Sequence, residues 1–204
     1  MSTRSPSATT LWDPTTPRGL WLRWLPTFVG FIAGGAIATA ITGPVTSLTA
    51  ALGGGALAGA VIGAGQWLAL RGRLPKTEWW IPATAVGQAV GLAAGATLVG
   101  YRTGLQDLAI QGAVTGLGVG ILQALVLRQH VATWFWWAIA MPPLWALGWI
   151  VTTAAGIGVD QHFTNFGASG AIVVTVLSGL LLVYLLRAAR PIDGASQPAV
   201  AAAR

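Results

Sequence analysis

The chain has no cysteine among its 204 residues. That excludes a disulfide framework, a thiolate metal site and a cysteine nucleophile, and it leaves the redox compartment unreadable. Charge is also scarce. Only 8% of residues are Asp, Glu, Lys or Arg, against about 25% in a soluble domain. A surface with so few charges cannot face water on all sides, and lipid is the solvent that fits it. There are two histidines and five acids. No Asp, Glu, Lys or His lies near the middle of an apolar run. Proton-coupled pumps and ion-coupled carriers place such a group there, so the absence counts against both.

Catalytic signatures are missing too. There is no H-E-x-x-H, no G-x-S-x-G, no phosphate-binding loop and no haem-type histidine pair. Gly53-Gly54-Gly55 lacks a following Gly-Lys-Ser/Thr and lies inside an apolar run. Asp160-x-His162 with Asp107 makes an incomplete hard-metal set and reads as a solvated loop. The reading is therefore a protein without enzymatic activity, metal or cofactor. The net charge of +6 suggests nucleic acid as a partner. That partner is excluded because the cations are dispersed at segment ends, where membrane topology puts them.

What is present is hydrophobic sequence, 54% of the chain. Breaks of polar, Gly or Pro residues divide it into six candidate spans: 24–41, 45–70, 79–99, 108–127, 134–157 and 166–186. Each is near the ~20 residues a helix needs to cross ~30 Å of hydrocarbon. The runs are long and do not alternate, which favours helices over strands. Thr42-Gly43-Pro44 leaves the first span short, and the second is long enough to lie partly on the membrane surface.

Every lysine and arginine except Arg102 falls on one side of these spans. The positive-inside rule then places both termini in the cytoplasm. Tryptophans crowd the same side. Trp21, Trp24, Trp79, Trp80, Trp134, Trp136 and Trp137 open odd-numbered spans and read as a bilayer-edge belt. Trp145 and Trp149 lie deeper and read as packing residues. Ala38-Thr39-Ala40 resembles a signal-peptide cleavage site, but the long preceding segment argues against cleavage.

A unit of 57 residues recurs. Gly55, Gly59, Gly63, Gln66 and Arg71 reappear as Gly112, Gly116, Gly120, Gln123 and Arg128; Trp80 maps to Trp137, and Gly34, Gly91 and Gly148 form a ladder. The third copy is two residues longer, with Ala171, Thr175 and Gly179 in the glycine row and Leu182 at the glutamine position. A period of this length describes a supersecondary unit made in triplicate. The expected fold is all-α: a six-span bundle of three two-helix hairpins about an axis along the membrane normal. Its divisions are an N-terminal tail at 1–18, hairpins at 19–75, 76–132 and 133–191, and a C-terminal tail at 192–204. Small residues at i, i+4 and i+8 let helix backbones approach.

Gln66 and Gln123 lie on the glycine-row face of their helices, toward other helices. They read either as a mutually satisfied pair or, with Gln88, as a central polar site. Arg71, Arg128 and Arg187, with Trp80 and Trp137, read as candidate contacts to lipid headgroups. Membrane lipids are the expected partners, with a membrane protein as a further candidate. Two functions fit: a non-enzymatic scaffold, accessory subunit or lipid-organising module, and a small-molecule transport or substrate-capture protein with a site near the bundle centre.

The string Gly59-x-x-x-Gly63-x-x-Gln66-Trp67-x-x-Leu70-Arg71, followed by Trp79-Trp80, resembles uncharacterised polytopic membrane proteins of bacteria built from such hairpins. The resemblance covers most of the chain and implies a multi-pass protein of the bacterial plasma membrane. A looser likeness, carried by Ala36-x-x-x-Ala40, is to the substrate-binding subunits of energy-coupling-factor transporters, also small six-span proteins.

Overall fold

The computed structural model describes residues 11–158 and 161–188. Among them secondary structure is helical, with no strand. The α-helices are α1 (Pro17–Trp24), α2 (Phe28–Thr42), α3 (Leu48–Leu70), α4 (Trp80–Leu98), α5 (Leu105–Leu127), α6 (Phe135–Ala154) and α7 (Ala168–Ala188). The 3₁₀ turn Leu25–Thr27 joins α1 to α2, and a second at Thr77–Trp79 leads into α4. Six resulting segments are long and apolar enough to cross a membrane. The chain is thus compatible with a multi-pass integral membrane protein.

The first span is longer than expected. Pro17–Thr42 runs as one 26-residue segment. It starts on a Thr16 cap, whose hydroxyl accepts from the Gly19 N–H, with proline at the first helical position. The second span is one uninterrupted helix of 23 residues. Ser47 caps it by accepting the Ala50 N–H at 3.2 Å. Gly43 stops α2 with φ of 75°, a conformation that residues with a Cβ rarely adopt. The fifth span ends at Ala154, before the expected Ile157. Pro142 and Pro143 sit inside it. Such prolines persist in membrane helices because neighbours re-satisfy the freed carbonyls.

From α2 onward each helix packs on the next in sequence, and α7 returns to α1 and α2, so the helices form a closed ring. Glycines set the closest approaches. A Cβ on Gly59 would lie 2.6 Å from the Thr84 carbonyl oxygen, and one on Gly116 2.5 Å from that of Met141. In lipid such contacts, rather than hydrophobic exclusion, hold helices together.

One end of the bundle gathers arginines. Arg23 donates to the carbonyls of Leu68 at 2.7 Å and Arg71 at 3.1 Å, and Arg73 to that of Thr15 at 3.3 Å. Arg18 and Arg187 line one cavity there. At the other end, the Val45 N–H bonds to the His162 carbonyl at 2.9 Å, and Arg102 pairs with Asp107 at 2.7 Å.

Candidate functional site

The arginine-bearing half of the bundle is filled by three indoles. Trp24, Trp80 and Trp137 have no exposed surface. Their ring centroids stand 5.8 to 6.2 Å apart, each pair edge to face. That is the arrangement aromatic quadrupoles prefer. The expectation that these three lie at the bilayer edge is therefore corrected. Trp80 and Trp137 are removed from the headgroup contacts, because the packing of α1, α4 and α6 turns their side chains inward. Trp79 and Trp136, one residue earlier, are exposed.

Each of these three indole N–H groups needs an acceptor, and each finds one on a different helix. Trp80 donates to Gln66 Oε1 at 2.7 Å, and Trp137 to Gln123 Oε1 at 2.9 Å. Gln123 then spends its amide nitrogen on Gln66 Oε1 at 3.0 Å and on Thr84 Oγ1 at 2.8 Å. Thr84 in turn donates to the Trp80 carbonyl at 2.7 Å. An indole can only donate, so both amide orientations are fixed by their tryptophans. One bond thus joins the two amides, with Gln123 donating and the Gln66 oxygen accepting.

The third indole breaks the pattern. Leu182 occupies the glutamine position and is fully buried. Ser178, one helical turn earlier, accepts from Trp24 Nε1 at 3.1 Å instead. Trp24, Thr84 and Ser178 are members of this network that sequence reasoning missed. Trp24 follows the tryptophan ladder with a one-residue offset, absorbed across the 3₁₀ turn at Leu25–Thr27. Ser178 left a weaker signal, as a hydroxyl four residues before a missing amide.

Gln88 stands apart from this ring. Its side chain is completely buried and donates to Asn165 Oδ1. Asn165, the only asparagine in the chain, donates to the Phe31 carbonyl at 3.2 Å. The Gln88 carbonyl oxygen has no partner. Around Asn165, Phe31 stacks on Phe166 with centroids 5.1 Å apart, and Trp145 meets both rings. Trp145 and Trp149 are buried packing residues, as expected. An apolar cavity of about 550 Å³ opens beside this layer between α2 and the start of α7, with Thr39 and Asn165 in its wall.

Arg71, Arg128 and Arg187 are exposed at the ends of their helices. Arg71 lies over the Trp67 ring, 4.9 Å from its centroid. Arg128 follows α5 as its cap, and Arg187 lines a cavity with Trp21 and Tyr184. His130, in the loop after α5, is held toward its neutral form. Burial lowers its pKa, a bond with the Pro75 backbone opposes that, and the Lys76 charge adds to it.

Among the described residues no group of three His, Asp or Glu side chains is placed to hold a metal. Asp107 is paired with Arg102, and Asp160 lies outside the described residues. Comparison with protein-family models, with curated proteins and with solved structures finds no match.

Proposed function

We propose that this is a non-enzymatic module of a bacterial plasma membrane, acting as a lipid-organising or accessory subunit. It is built from three copies of one helical hairpin, with both termini in the cytoplasm. The Trp–Gln ring carries this reading. Where a transporter would need a polar path, the Gln66 oxygen and both ends of the Gln123 amide are engaged by two indoles, by Thr84 and by one another. The ring contains no group that titrates near neutral pH.

The threefold plan is supported by contacts that recur at a step of 57. Gly63 meets Ile81 and Gly120 meets Ala138; Gly59 meets Thr84 and Gly116 meets Met141; Gly55 meets the Gln88 carbonyl and Gly112 that of Trp145. The cytoplasmic assignment rests on the arginine-rich end.

A second reading, capture of an apolar small molecule, is favoured by the cavity beside Asn165. Native mass spectrometry of protein extracted gently from its own membrane separates the two. A retained protein or lipid supports the module. A retained small molecule, lost on Asn165→Leu, replaces that reading with capture.

A further inference from the structure

A groove of about 480 Å³ runs along the seam between α2 and α3. Its walls change chemistry with depth. Arg23 and Trp12 stand at the mouth, Thr27 lies one turn further in, and Gly30, Ala33 and Val61 line the rest. At 1.5 Å per residue, Arg23 to Ala33 spans roughly 15 Å, about half the hydrocarbon thickness. Gly65 also lines it, and a Cβ there would meet nothing within 4 Å.

The mouth is cationic. Arg23 uses two donors on the carbonyls of Leu68 and Arg71, leaving others of its five for a further acceptor. Arg71 and Arg73 belong to the same end of the bundle without lining the groove: the Arg71 carbonyl accepts from Arg23 and its guanidinium lies over Trp67, and Arg73 donates to the Thr15 carbonyl. Among the described residues none of these three pairs with an acid. Asp13, close by in sequence, is bonded to Thr15 instead.

Below the arginines, Thr27 is only 5% exposed and its hydroxyl has no partner. A buried hydroxyl without a partner costs free energy until one arrives.

We propose that this groove binds one anionic phospholipid. The arginines hold the phosphate, Thr27 donates to an ester carbonyl, and an acyl chain lies over Gly30 and Gly65. This rests on the module reading and names the lipid class that it would organise. Bidentate guanidinium donors suit a phosphate, and a neutral headgroup would leave the cluster's charge uncompensated.

The test is native mass spectrometry of detergent-purified protein titrated with phosphatidylglycerol, with phosphatidylcholine of the same chains, or with inorganic phosphate. One phosphatidylglycerol should be retained in preference to phosphatidylcholine. Arg71→Gln with Arg73→Gln should cut that preference about 25-fold, about fivefold per cation. Gly65→Leu should reduce retention of both lipids, and Thr27→Val should weaken both equally. Gly65→Leu enters open space, so its result stands even if the arginine variant folds poorly.

Equal retention of the two lipids by the unaltered protein overturns the proposal. So does phosphatidylglycerol binding that is indifferent to Gly65→Leu, or that inorganic phosphate displaces. The module reading fails separately. A protein that retains a partner from its own membrane but shows no lipid preference keeps that reading and loses this one. A protein that carries a solute across a vesicle membrane loses the module reading whatever its lipid preference.

Discussion

Gln66 Oε1 accepts two hydrogen bonds at once, from Trp80 at 2.7 Å and from Gln123 at 3.0 Å. Both of its lone pairs are therefore occupied inside the bundle. Gln66→Leu would strand the Trp80 N–H, at a cost of about 1–3 kcal/mol. Adding Trp80→Phe removes the indole donor and should recover part of it, while one N–H of Gln123 stays without its acceptor. Thermal unfolding of the single and double variants in detergent checks this. A double variant less stable than Gln66→Leu alone would refute the pairing.

Glycine substitutions should divide by position. Gly116→Ala pushes a methyl into the Met141 carbonyl, and overpacking of that kind costs about 1–3 kcal/mol. Gly65→Ala meets open space and should stabilise by up to about 1 kcal/mol through helix propensity. The sign of the Tm shift for each variant decides it.

Sidedness can be read because the chain has no native cysteine. Lys76→Cys should react with a membrane-impermeant maleimide only from the cytoplasmic face, and Arg102→Cys only from the opposite one. Labelling of both from the same face in sealed vesicles would refute the assignment.

His130 should give the protein an acid-sensitive step. Its folded-state pKa lies below the unfolded value of about 6.5. Above that value both states are neutral and the group contributes nothing. As pH falls from about 6.5 toward the lowered pKa, the unfolded state takes up the proton first and stability declines. His130→Gln should flatten that part of a stability–pH curve.

The spans were legible because lipid demands long apolar helices, and six runs of that kind stand in the sequence. The close contacts at Gly59 and Gly116 follow from small residues at one-turn spacing. The tryptophans were harder to read. At one helix end an indole can face headgroups or turn inward, and composition is the same either way. Trp79 and Trp80 are adjacent in the chain and take opposite fates, because about 100° of helical rotation separates them. Asn165 gave no sequence signal, since its partner Gln88 lies 77 residues away and the contact exists only once the ring has closed.

That closure has a consequence for how the protein is made. Trp24 and its acceptor Ser178 are 154 residues apart, at opposite ends of the order of synthesis. The first hairpin enters the membrane with an indole donor that nothing yet translated can receive. The other two indoles differ: Gln66 and Gln123 precede Trp80 and Trp137 by only 14 residues each. Two links of the ring can thus form as the chain emerges, while the third waits for the last helix. A chain that ended before Ser178 would lack both the acceptor for the Trp24 N–H and the helix that closes the ring.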